Sequence, residues 1–181
     1  MREPVKTTHG TTAYGGPVPD MPDPIAEARR QWSLRWPEHA DHMAAVTSVM
    51  RAQQLLLSRI EAVLKPYALT FAAYEALRLL AFTRTGTLPM GKMGVRLMVH
   101  PASVTNVIGR LEARGLVGRA PSPDDRRVVL ATITPAGREL AEEATLALNE
   151  SGFGIAGLPA AQAAEITTAL HPVRLAAGDL D

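Results

Sequence analysis

Apolar residues recur at helical spacing along most of the chain, and this pattern predicts its elements. The clearest case runs from Asp41 to Leu64, where apolar positions alternate three and four residues apart, as on one face of an α-helix. Such a helix reaches roughly 36 Å at 1.5 Å per residue, which is longer than one small domain can cover. We therefore expect it to pack against another helix, most simply from a second copy of the chain. A long core helix in a monomer is the alternative.

Shorter helices are predicted before and after this long one. A leading helix starts at Asp23, carries Trp32 and Trp36, and ends at Pro37. Thr70 is a suitable N-cap for the next helix. The remaining helices are predicted at 71–81, 90–98, 101–114, 135–150 and 159–175, where Pro172 is expected to kink or end the last one.

Short strands are predicted around a turn that is rich in proline and aspartate. Segments 116–120 and 127–134 flank the turn at 121–125, and a very short strand fits within 85–89. Two adjacent helices followed by a hairpin have the layout of a winged helix-turn-helix. The predicted fold class is therefore mainly α with a small β-wing, a winged helix-turn-helix head plus a helical dimerisation region.

Four motifs in a fixed order resemble those of the MarR family of transcriptional regulators. Segments 103–106, 110–117, 124–127 and 133–138 read Ser-Val-Thr-Asn, Arg-Leu-Glu-Ala-Arg-Gly-Leu-Val, Asp-Asp-Arg-Arg and Ile-Thr-Pro-Ala-Gly-Arg. The family commonly runs from a Thr-rich helix through Leu-Glu-x-x-Gly-Leu-Val and a wing with Asp-Arg-Arg to Leu-Thr-Pro-x-Gly. The resemblance covers about residues 41–150 and implies a homodimeric regulator, most simply a repressor, that binds double-stranded DNA.

This resemblance gives the predicted organisation of the chain. Residues 1–22 are rich in proline and glycine and are expected to form a flexible N-terminal tail. Residues 23–65 are assigned to leading and long dimerisation helices, and 66–135 to the DNA-binding domain. Residues 136–181 are assigned to C-terminal dimerisation helices.

The second helix of the predicted helix-turn-helix has one face for anchoring and one for DNA. Its anchoring residues are Val104, Val107, Ile108 and Leu111, which leaves for the major groove Ala102, Ser103, Thr105 and Asn106. Arg110 lies one turn further on and is assigned to a phosphate. Many relatives carry arginine where Asn106 stands, so we expect adenine to be preferred over guanine there.

The predicted wing tip places a carboxylate beside two guanidinium groups. Asp125 is expected to hold one arginine extended, so that an arginine reaches the narrow minor groove. We assign Arg126 to the groove, and Arg127 to a phosphate or to Asp125. The two adjacent arginines are able to exchange these roles.

Positive charge is concentrated in the predicted head. The whole chain carries a net charge of only +1, yet residues 90–127 hold seven basic and three acidic side chains. Such an excess suits a phosphate backbone, although it also occurs on ordinary solvated surfaces. A dimer would place its two reading helices about 34 Å apart, so the expected target is an inverted repeat.

Relatives of this kind often bind a small anionic or phenolic effector. The subgroup that senses urate is loosely matched by Trp32, Glu75 and Arg119, which are the candidate ligand-binding residues. Glu75 stands where that subgroup has aspartate, and Val107 stands where it has arginine. Urate itself is therefore not the expected effector.

Other functions have little support in the sequence. The chain has no cysteine and no apolar stretch of about 20 residues, so we expect a cytoplasmic location and no membrane span. His39 and His42 lack an evident third ligand, so neither a metal site nor a cofactor is expected. No motif of a catalytic nucleophile occurs, so the chain is not expected to be an enzyme. Two alternatives remain. One is a winged helix used as a protein-interaction module, and the other is a protein that binds or metabolises a small molecule and does not bind DNA.

Overall fold

The computed structural model describes residues 23–179, and the predicted N-terminal tail lies outside them. Its helices are α1 (Pro24–Ser33), α2 (Ala40–Leu64), α3 (Phe71–Phe82), α4 (Met90–Leu97), α5 (Pro101–Ala113), α6 (Pro135–Glu150) and α7 (Ala160–Ala176). Its strands are β1 (Thr87–Pro89), β2 (Val117–Pro121) and β3 (Val129–Ile133). The predicted fold class, mainly α with a small β-wing, is confirmed.

Helix starts follow from side chains that cap free backbone N–H groups. The carboxylate of Asp23 accepts from the N–H of Ile25 at 2.9 Å, and the hydroxyl of Thr70 accepts from that of Ala73 at 3.3 Å. Each satisfies a donor that has no partner within its helix. The predicted starts of α1 and α3 are thereby confirmed.

One helix ends earlier than the sequence predicts, and a proline does not end another. Helix α1 ends at Ser33, because the chain turns before Pro37 and Trp36 adopts φ −140° and ψ 64°. A residue before proline is disfavoured in helical geometry, so the helix cannot continue through Trp36. Pro172 lies inside α7, which continues to Ala176.

The described chain divides into two compact units, with the boundary between Gln54 and Leu55 inside α2. In the first unit, Arg29 donates to Asp41 at 2.6 Å, and the rings of Trp32 and Trp36 lie 5.0 Å apart. Helix α2 has 25 residues, which confirms the long helix. The roles assigned to the segments of the chain remain predictions.

The second unit holds the larger core. The buried side chains come from the end of α2, from α3 to α6 and from the sheet, and the largest of them are Leu64, Leu77, Leu80, Met93, Ile108, Leu111, Val117 and Leu148. Between α3 and α6, the hydroxyls of Tyr74 and Thr145 are 3.0 Å apart. This core fixes α5 from behind and leaves its other face in solvent.

The three strands form one antiparallel sheet in the order β1, β3, β2. In its register, Val117 pairs with Ile133 and Pro121 with Val129, so β2 and β3 are the two arms of a hairpin. The predicted short strand is β1, which pairs with β3 from Thr87 to Pro89. Within the described residues, no helix is long and apolar enough to cross a membrane.

Candidate nucleic-acid interface

Helices α4 and α5 are joined by a tight turn, as the sequence predicts. Met98 has a positive φ of 54°, and the N–H of Val99 donates to the carbonyl of Gly94 at 3.0 Å. A Cβ on Gly94 would lie only 3.3 Å from the carbonyl oxygen of Val99. Glycine at this position therefore lets the turn fold back closely on α4.

The two faces of α5 are separated as expected. Val104, Ile108 and Leu111 are buried, whereas Val107 is half-buried. The residues predicted to meet DNA are all exposed, namely Ala102, Ser103, Thr105, Asn106 and Arg110. The start of α5 thus presents short polar side chains to solvent, above an apolar anchor.

Two side chains at this end of α5 bond to the backbone. His100 Nδ1 accepts from the N–H of Ala102 at 3.2 Å and caps the helix. The hydroxyl of Thr105 donates to the carbonyl of Pro101 at 3.2 Å, so that its oxygen remains available as an acceptor.

The hairpin carries its charges at the tip. Asp125 accepts from the N–H of Arg127 at 3.0 Å and from its guanidinium at 3.2 and 3.3 Å. These bonds from Arg127 hold the pKa of Asp125 below its usual range. The side chain of Arg127 is 92% exposed, so it is held at its base and open to solvent beyond it.

Arg126 is also exposed, and among the described residues no hydrogen bond of its guanidinium is found. The held arginine at the wing tip is therefore Arg127, which is one of the two partners that the sequence allowed for Asp125. Its neighbour has a free guanidinium. Which of the two enters a minor groove stays a prediction.

Two other arginines of the head are bound within the protein. Arg119 on β2 donates to Glu112 on α5 at 2.8 Å, and this ion pair lowers the pKa of Glu112. Arg114, directly after α5, donates to the carbonyls of Ala68 at 2.6 Å and Tyr67 at 3.0 Å. These bonds fix the end of α5 opposite to the one that faces solvent.

The three candidate effector residues are distributed over the two compact units. Trp32 is 39% exposed and lies in the first compact unit, whereas Glu75 and Arg119 lie in the second. Glu75 lines a small apolar cavity of about 30 Å³ between α3 and α5. Arg119 is not among the residues that line this cavity; its partner is Glu112.

The cavity beside Glu75 has one ionisable group among its described lining residues. Small side chains, Ala72 and Ala76, leave the space, and Val104 and Ile108 of α5 close it from the other side. Partial burial raises the pKa of Glu75. A carboxylate in such surroundings is stabilised by a ligand that donates a hydrogen bond to it.

The exposed polar end of α5 and the charged hairpin beside it define a winged helix-turn-helix protein. Residues 69–129 match the model of the MarR family. A solved structure of Sco5413, a MarR family transcriptional regulator from Streptomyces coelicolor, is 54% identical with a TM-score of 0.72, and the match covers 78% of this chain and 98% of that one. The chain therefore belongs to the MarR family.

Curated HTH-type transcriptional regulators match the chain over shorter stretches. The regulator FarR of Neisseria gonorrhoeae is 32% identical over 108 residues, which cover 59% of this chain and 72% of FarR. The uncharacterised regulator YhbI of Bacillus subtilis is 36% identical over 96 residues, or 53% of this chain. The match spans 61% of YhbI, less than two thirds of its length.

Proposed function

We propose that this protein is a homodimeric transcriptional regulator that binds an inverted repeat in double-stranded DNA. The observation that carries the proposal is the start of α5, where Ser103, Thr105 and Asn106 are exposed above the buried Val104 and Ile108. A helix anchored in this way fits the major groove with its N-terminal residues. The hairpin beside it supplies guanidinium groups for the phosphates and the minor groove.

Each exposed residue of α5 has a proposed role. Asn106 pairs with adenine, the methyl group of Ala102 contacts a thymine, and Ser103 and Thr105 bond to bases or phosphates. Arg110, one turn further along the helix, binds a phosphate. A duplex selection would test these roles, since Asn106→Arg should shift the preferred base from adenine to guanine at one position of each half-site.

Exposed apolar side chains support the homodimer. In the single chain, Val46 and Met50 on α2 are 64% and 56% exposed, and Val173 on α7 is 66% exposed. Apolar surface of this kind usually marks a contact with another chain. Met50→Glu should convert the purified dimer to a monomer in sedimentation, whereas a charge placed at the exposed Ser48, on the opposite face of α2, should not.

The half-buried carboxyl of Glu75, with its apolar surroundings, supports regulation by a small molecule. Bordetella bronchiseptica BpsR, whose structure concerns regulation of its DNA binding by 6-hydroxynicotinic acid, is 29% identical with a TM-score of 0.64 and matches 75% of this chain and 93% of BpsR. A carboxyl in an apolar wall favours an effector with a phenolic hydroxyl, because this hydroxyl donates a hydrogen bond to the carboxyl. We propose that the effector releases the protein from DNA, so that the protein acts as a repressor.

The decisive experiment selects bound duplexes from a random pool and then compares variants on the selected site. Arg126→Ala and Arg127→Ala should each weaken binding without dissociating the dimer. If both variants and the wild type bind every duplex with the same weak affinity, the chain is a protein-interaction module instead. Adding phenols to the bound complex then tests release, with Glu75→Gln as the variant expected to change the response.

A further inference from the structure

An open basic groove lies between the start of α4, the start of α5 and the tip end of the wing. It holds about 960 Å³ of empty space, including its mouth. Lys92, Thr105 and Arg127 line it, each from a different one of these segments. No carboxylate is among its described lining residues, so both charged groups that face the groove are positive.

The two cations of the groove differ in how they are held. Lys92 is exposed on the first turn of α4, with a flexible side chain. Arg127 is braced at the wing tip by Asp125, which does not line the groove. A phosphate group between them would meet one fixed and one adaptable cation.

Gly91, next to Lys92, leaves the backbone of α4 open to the groove. It lines the groove, and a Cβ added to it would have no atom of the described protein within 4 Å. The packing of the protein therefore does not require glycine here, and alanine is the better helix former. A glycine is of use where a ligand approaches the backbone closely.

We propose that this groove binds one phosphate of the DNA backbone, paired with Lys92 and placed against the main chain at Gly91; this rests on the function proposed above. The groove shares Thr105 with the base-reading end of α5 and Arg127 with the wing. The bound phosphate therefore lies between the major-groove and minor-groove contacts. This phosphate fixes how deeply α5 enters the major groove of the DNA, and it carries no sequence information itself.

The test uses the full chain, the selected duplex and three variants. Lys92→Gln removes the proposed cation, and Arg96→Gln removes an equal charge from α4 at a residue outside the groove. Duplexes with a single neutral methylphosphonate at each backbone position then locate the phosphate. One position per half-site should weaken the wild type and Arg96→Gln alike, and should cost Lys92→Gln nothing further.

Salt dependence gives a second readout. Loss of one phosphate contact should make the slope of log affinity against log salt shallower by about 0.9 in each half-site. Between 50 and 200 mM salt, Lys92→Gln should therefore lose roughly three- to fourfold less affinity per half-site than the wild type. Gly91→Ala should keep or raise the melting temperature and still bind the duplex more weakly, because its methyl group occupies the place of the phosphate.

The outcomes separate the two proposals. If the wild type binds the duplex but Lys92→Gln keeps the full methylphosphonate profile and the salt slope of the wild type, the groove is not a phosphate site and the proposed function stands. Gly91→Ala with unchanged affinity rejects the backbone contact. A wild type that prefers no duplex at all overturns the proposed function and this inference with it.

Discussion

Replacing Gly137 by alanine should destabilise the fold, although alanine normally stabilises a helix. Gly137 is in the first turn of α6, and a Cβ there would lie 2.1 Å from the carbonyl oxygen of Leu116 and 3.0 Å from a methylene carbon of Ile133. The carbonyl of Leu116 cannot easily move, because it accepts from the N–H of Thr134 at 3.0 Å. The start of α6 must therefore shift away from the sheet.

The expected magnitude follows from three contributions. Forcing an extra carbon into a packed site costs about 1–3 kcal/mol. The shift also weakens the cap in which the Thr134 hydroxyl accepts from the N–H of Gly137 at 3.0 Å, which is worth about 1 kcal/mol. Alanine returns up to about 1 kcal/mol of helix propensity. The net loss of unfolding free energy is therefore about 1–3 kcal/mol.

Urea unfolding at one fixed protein concentration would measure this loss, since the stability of a dimer depends on concentration. Gly109→Ala in α5 is the matched control, because a Cβ at Gly109 has no atom within 4 Å. The control should be as stable as the wild type or more so. If Gly137→Ala also proves as stable as the wild type, the explanation of this glycine by its contact with Leu116 is wrong.

Two further predictions concern arginine contacts. Asp125→Asn should weaken duplex binding in fluorescence anisotropy, since Arg127 loses the carboxylate that holds it. The pKa of Asp125 is lowered in the folded protein. The contribution of this ion pair is therefore present above the usual carboxyl pKa and is lost only as the pH falls through the lowered value. A wild type that loses the brace already near pH 5 would contradict the pairing. Arg114→Met should lower the unfolding free energy by about 2 kcal/mol through its two lost bonds to carbonyls, whereas Arg110→Met should change it by less than about 0.5 kcal/mol. Equal melting temperatures for these two variants would show that the bonds of Arg114 contribute nothing.

Helices, strands and the reading face followed from the sequence because their causes are local. The N-cap at Thr70 and Gly115, whose positive φ of 70° follows the end of α5, each act within a few residues. The periodicity of Val104, Ile108 and Leu111 is a property of one helix. At the wing tip, the sequence offers Arg127 as a partner of Asp125 but leaves open an exchange of roles with Arg126. Side-chain geometry decides between neighbours that the sequence pattern treats alike.

The rest depends on contacts between distant segments. The sequence places Arg114 among the basic residues of the predicted DNA-binding domain. Its guanidinium instead donates to backbone carbonyls 46 and 47 residues earlier in the chain. The Gly137 motif was recognised by resemblance, but its physical reason is the carbonyl of Leu116 on the neighbouring segment. The cavity beside Glu75 exists only where α3 and α5 meet. No local pattern reports such distances.

The number of basic side chains available to DNA also limits how steeply the affinity for DNA can fall with salt. Of the seven basic residues at 90–127, Arg114 and Arg119 are bonded to other parts of the protein, which leaves five exposed cations for DNA, namely Lys92, Arg96, Arg110, Arg126 and Arg127, of which Arg127 is braced by Asp125 but 92% exposed.

A dimer then offers ten such cations from these segments, so the slope of log affinity against log salt should be no steeper than about −9. Between 50 and 200 mM salt, the affinity should fall by at most on the order of a hundred-thousandfold. A steeper fall, measured by anisotropy on the selected duplex, would mean that the bonded arginines leave their partners for phosphates or that other segments of the chain touch the DNA. The slope of Arg119→Gln would decide between these, because only in the first case does it become shallower.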